Sequence, residues 1–91
     1  MKQTFVLQQP HIELCQLLKI TGIANSGGQA KMMIADQMVL RNGNIETRKT
    51  AKIGAGETII VQLPDGDRKI EIQSPISMQD FQSAYLGMFL N

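Results

Sequence analysis

A chain of 91 residues, 43% of them hydrophobic, is one domain's worth of sequence, near the lower limit at which a hydrophobic core sustains a fold, and too apolar to read as disordered. Without tryptophan and with 4% aromatic residues, its core falls to Leu, Ile, Val and Met, and no aromatic platform for stacking bases is evident. The formal net charge of +1 hides a division: seven basic residues face four acidic ones through Thr58, and two face four beyond it, which suits a polyanionic partner.

Thr4 to Gln8 (TFVLQ) is short, β-prone and bounded by Pro10, which predicts an N-terminal strand at a sheet edge. From Pro10, Leu14, Leu17, Leu18 and Thr21 recur at helical spacing and Gly22 is placed to end the helix. Proline suits a first turn, where its missing N–H would have no partner, so His11 is expected in the early helix. Ser26 precedes Gln29 by three, the capping-box spacing, in which the serine hydroxyl accepts an early backbone N–H and the glutamine reaches back to the serine N–H. With Ala30, Met33 and Ile34 on one face, a second helix runs to about Asp36.

Met38 to Arg41, Asn42-Gly43 and Asn44 to Arg48 form the strongest short-range signal, because Asn-Gly tolerates the positive φ angles of a type I′ turn between strands. Ala51 to Ile53 continues strand character, Gly54-Ala55-Gly56 breaks it, and Glu57 to Leu63 is a strong strand. Pro64 to Asp67 is a turn, and Arg68 to Gln73 alternates Ile70 and Ile72 with polar neighbours, as a half-exposed strand does. After Pro75, Ser77 with Asp80 is another cap pattern, and Met78, Phe81, Tyr85 and Met88 line one side of a prospective helix. The expected fold is α+β: two N-terminal helices on a small, twisted, mostly antiparallel sheet over 1–74, and a C-terminal helical extension at 75–91.

Helix, short link, Ser-x-x-x-Ala-Lys helix, Asn-Gly hairpin and basic strand resemble the αL RNA-binding motif, first defined in the fourth small-subunit ribosomal protein. The matching residues are Leu14, Leu17, Leu18, Gly22, Ser26, Gln29, Ala30, Ile34, Val39, Asn42, Gly43, Ile53, Gly56 and Ile59, and the match covers roughly His11 to Val61. Glu13-Leu14-Cys15, Gly27-Gly28-Gln29-Ala30-Lys31 and Glu46-Thr47-Arg48-Lys49 resemble the short stand-alone YbcJ/YaaA-like bacterial family. The resemblance implies binding of structured RNA, ribosomal or transfer RNA, with ribosome association as a partner expectation. His11 and Gly28 stand where that family commonly carries basic residues, which implies fewer phosphate contacts and weak or partner-assisted binding.

The expected RNA-binding residues are Ser26, Gly27, Gly28, Gln29, Lys31, Arg41, Arg48, Lys49 and Lys52. Ser26-Gly27-Gly28 opens a helix whose first amides lack intrahelical acceptors and whose dipole favours an anion, and Lys31 lies one turn on. The plainer account is a capped helix with a solvated lysine. Basic residues along a hairpin can likewise serve as a charged edge that discourages pairing between molecules. If the strand continues to Lys49, Arg48 and Lys49 point to opposite faces and only one belongs to the RNA footprint.

One cysteine and one histidine supply neither a disulfide nor a metal cluster, and no catalytic constellation or cofactor motif is present. Cys15 reads as a small core residue. Gly54-Ala55-Gly56 lacks the Gly-Lys-Ser/Thr ending of a phosphate loop. No stretch approaches a membrane span and the start lacks a signal-peptide core, so a cytoplasmic location is expected. The rival to RNA binding is a protein-interaction or homodimer module that uses the apolar side of residues 77–90.

Overall fold

Residues 2–74 are described by the computed structural model. Their elements are β1 (Lys2–Val6), β2 (His11–Glu13), α1 (Leu14–Ile20), α2 (Gly27–Ala35), β3 (Val39–Arg41), β4 (Asn44–Ile45), β5 (Lys52–Gly54), β6 (Thr58–Leu63) and β7 (Gly66–Gln73). Five strands form a mixed sheet in the order β1-β7-β6-β3-β4, and β2 pairs with β5 in a separate antiparallel ladder. The main sheet is antiparallel except where β1, the predicted edge strand, runs parallel to β7. The predicted helix after Pro75, and with it the 75–91 extension, lies outside the described residues.

Strand alternation decides which face is covered. Val39, Ile59, Val61, Ile70 and Ile72 are buried on one face and join Leu14, Cys15, Leu17 and Leu18 of α1, Ala30, Met33 and Ile34 of α2, and Ile12 and Ile53 of the small ladder in a single core. Ile70 and Ile72 thus confirm the alternation expected of β7.

The first helix starts later than its proline suggests. His11 to Glu13 are extended and pair with Gly54, Ile53 and Lys52, which buries Ile12 against Ile53. That contact reaches about forty residues along the chain and outweighs a local preference for helix. His11 is therefore an exposed strand residue and not part of the first helical turn. The opening amides of α1 are satisfied from a distant loop: Leu14 N–H donates to the Ala51 carbonyl at 2.9 Å and Cys15 N–H to the Lys49 carbonyl at 3.0 Å.

Candidate nucleic-acid interface

The second helix is capped nearly as expected. Ser26 Oγ accepts from Gln29 N–H at 3.1 Å, but the Gln29 side chain accepts from Asn25 N–H at 2.5 Å and not from Ser26. The capping loop therefore closes one residue earlier. Ser26, Gly28, Gln29 and Lys31 are exposed and Gly27 is half-buried. The Gly27 and Gly28 amides occupy the first turn, where a helix offers them no acceptor.

The Asn42-Gly43 turn takes φ values of 51° and 88°, the two positive angles of a type I′ hairpin. Asn42 then acts a second time: its Oδ1 accepts from Thr58 N–H at 2.9 Å and its Nδ2 donates to Glu57 at 3.2 Å. This fixes the hairpin tip to the start of β6.

Behind that tip Arg41 is fully engaged. Its Nε donates to Glu57 Oε1 at 2.5 Å, its Nη1 to Glu46 Oε1 at 3.1 Å, and its Nη2 to both Glu57 Oε2 at 3.2 Å and the Lys52 carbonyl at 2.9 Å. Glu57 also accepts from Gly54 N–H at 2.6 Å, closing the Gly54 to Glu57 turn. Hydrogen bonds from Arg41 hold the Glu57 carboxyl below the usual carboxylate range, and Glu57 in turn raises Arg41.

Glu46, the only buried charged residue among those described, faces two guanidinium groups. Arg48 donates to it from its backbone N–H and Nε, at 3.2 and 3.1 Å, and from Nη2 at 3.0 Å, beside the bond from Arg41. Foremost the Arg48 side-chain bonds bring the Glu46 carboxyl down to about 2 against the cost of burial. These bonds pull the chain off the strand direction, so β4 ends at Ile45 and the predicted strand through Arg48 does not form. Arg48 and Lys49 are consequently not sorted onto two sheet faces. Both line one open groove.

That groove has a volume of about 760 Å³ and is lined by Arg41 and by Thr47 through Lys52. A smaller depression of about 250 Å³ lies between the helices and the loop, lined by Glu13, Cys15, Gln16, Lys19, Gly27, Lys31 and Thr50. Thr50 borders both. The loop is thus tied at Glu46 to the arginines and at Lys49 and Ala51 to α1, while Thr47, Lys49, Thr50 and Lys52 stay exposed.

Of the nine predicted residues, Arg41, Arg48, Lys49 and Lys52 meet in the groove, and Gly27 and Lys31 meet in the depression; Ser26, Gly28 and Gln29 border neither. Sequence reasoning missed Lys19, Thr47 and Thr50. Lys19 reaches the site only because α1 packs on α2, and neither threonine carries a signal of its own. Arg41, Arg48, Glu46 and Glu57 cancel as a set. The positive charge left over is on Lys19, Lys31, Lys49 and Lys52, none of whose ammonium groups has a hydrogen-bond or ion-pair partner among the described residues.

Such a surface can bind phosphates, whose oxygens accept from ammonium groups, hydroxyls and amides. Cys15 is buried, as a core residue would be, and among the described residues no three His, Cys, Asp or Glu side chains are placed to hold a metal ion. No described helix is long and apolar enough to cross a membrane.

Residues 5–73 match the model of the S4 domain family. Over 57 residues the chain is 53% identical to YbcJ of Escherichia coli (strain K12) and to YbcJ of Shigella flexneri, covering 62% of this chain and 81% of each relative. The solution structure of E. coli YbcJ, which reveals an αL motif involved in RNA-binding in that protein, is similar at a TM-score of 0.53 and 45% identity, over 75% of this chain and 85% of that one. The C-terminal domain of a tyrosyl-tRNA synthetase shares the fold alone, at a TM-score of 0.58 and 22% identity over 77% of each chain.

Proposed function

The chain belongs to the S4 domain family, and we propose that it binds structured RNA without catalysing a reaction on it. The observation that carries this reading is the pair of basic recesses joined at Thr50, where Lys19, Lys31, Lys49 and Lys52 project without carboxylate partners among the described residues. The relationship to YbcJ, whose αL motif is involved in RNA-binding, supports the same ligand class.

Chemistry narrows the ligand further. Phe5, the sole aromatic residue among those described, packs against the core, so the recesses, one of which Glu13 also lines, offer cations and hydroxyls but no ring on which a splayed base would stack. Phosphate contacts of this kind position a partner without reading its sequence. A folded stem, recognised by the spacing of its phosphates, fits better than an unpaired strand. Ribosomal and transfer RNA are the folded RNAs the αL resemblance implies.

In this reading Lys49 and Lys52 grip one part of the backbone and Lys31, Lys19 and the Gly27 amide another, with Thr50 between them. Arg41 and Arg48 act through the loop, by holding it in place. Fluorescence anisotropy with a labelled RNA stem-loop, titrated over a range of salt concentrations, tests this. Binding should weaken with salt with a slope of only a few phosphates, and Lys31→Ala with Lys49→Ala should lower that slope by about 2. No binding at low salt, or no change in the double variant, would reject the reading.

A further inference from the structure

The outer face of the main sheet is not part of the core. Register places Ile45 opposite Leu40, and Leu40 opposite Ile60, so three adjacent strands align an apolar row that continues into Lys69 and Lys2. Ile45 is 55% exposed and Leu40 and Ile60 are half-buried, while every buried strand residue of the sheet lies on the opposite face. Lys2 and Lys69 are both drawn to Glu71, at 3.3 and 3.8 Å, and frame one end of the row with charge.

The sequence that leaves this sheet is suited to cover it. Residues 75–91 follow β7 directly and contain one charged side chain, Asp80, with three of the chain's four aromatic residues, Phe81, Tyr85 and Phe89. Three strand spacings across the sheet and four residues along it put Ile45 about 20 Å from the end of β7. Seventeen residues span about 25 Å even at the short rise of a helix. Reach and composition agree.

We propose that residues 75–91 fold back over the outer face of their own sheet and seat their aromatic side chains on the Ile45–Leu40–Ile60 row. Covering this row removes from water an apolar stripe that a domain of this size gains by burying. It also gives the domain two separate sides, since Arg41 and Glu46 lie on the core-facing side of β3 and β4 and the basic recesses open there.

Tyr85 is the only tyrosine and the chain has no tryptophan, so tyrosine fluorescence reports this segment alone. In the full chain, acrylamide should quench Tyr85 at least threefold less efficiently than in a peptide of residues 75–91, at protein concentrations where sedimentation shows a monomer. Ile45→Glu, a change at an exposed edge position, should raise quenching towards that of the peptide without loss of far-ultraviolet dichroism. In the unmodified chain, nuclear Overhauser contacts should join the Tyr85 ring to methyl groups of Ile45, Leu40 or Ile60. Peptide-like quenching, the absence of those contacts, or shielding that appears only as the chain dimerises would each overturn the proposal.

Discussion

Arg41 and Arg48 share one stretch of chain with Lys49 and Lys52, and all four line the same groove, yet their surroundings differ. The two arginines face Glu46 and Glu57, whose four oxygens meet the forked donors of guanidinium. The lysines have no such partners among the described residues. The difference follows from side-chain chemistry: a planar fork satisfies buried carboxylates, whereas an ammonium on a flexible stem stays hydrated until an anion arrives. Positive charge near a site is therefore a poor guide to what touches the ligand. Here half of it is engaged by the protein's own carboxylates.

The strongest way to break this contrast is to remove the central arginine. Arg41→Ala leaves the Glu46 and Glu57 carboxylates near one another without their shared partner, and should cost about 3 kcal/mol of stability. Lys49→Ala and Lys52→Ala should each stay within about 0.5 kcal/mol. Urea unfolding measures all three, and equal losses would remove the distinction. Acid is the next largest perturbation. A carboxyl held below its ordinary value stabilises the fold above that value and loses its contribution as pH falls towards the lowered one. For Glu46 the window runs from about 4.5 down to about 2, with Glu57 adding in the same direction. The loss should be on the order of 2 kcal/mol, reduced from the full shift because Arg48 is largely exposed. Glu46→Gln should flatten the stability curve over that range, and an unchanged curve would show that Glu46 is not strained by acid in this way.

Local rules carried much of the fold. The Asn42-Gly43 turn, the Ser26 cap and the Ile70/Ile72 alternation each depend on residues a few positions apart, and each is present. What could not be read depends on pairings across the fold. His11 to Glu13 looked helical after Pro10 until Lys52 to Gly54 supplied a strand partner. Gln29 met Asn25 in place of Ser26 because the link before the helix sets which amide comes within reach. The site shows the same division. Its basic residues were visible in the sequence, but Glu57 lies sixteen residues from Arg41 and nothing local marks it as the partner. Lys19 joins Lys31 only through the packing of α1 on α2.

The smallest effect discriminates most finely, because it compares adjacent residues of equal charge. Arg48 is 72% exposed on its side chain while its partner Glu46 is 11% exposed, so Arg48 is open enough to be mistaken for a ligand contact. Arg48→Ala and Lys49→Ala each remove one positive charge from the groove, and at roughly 0.1 M salt, where the screening length is about 10 Å, their long-range effects on an approaching RNA should be similar. They should differ in direct contact. Lys49→Ala should lower the salt slope by about 1 with little change in stability. Arg48→Ala should leave the slope nearly intact, lower stability less than Arg41→Ala does, and weaken binding only as far as the 46–52 loop loosens. Arg48→Lys refines the comparison further, since it keeps the charge but loses the fork that Glu46 uses. If Arg48→Lys restores binding but not stability, charge at this position meets the RNA after all; if it restores neither, the fork is what matters.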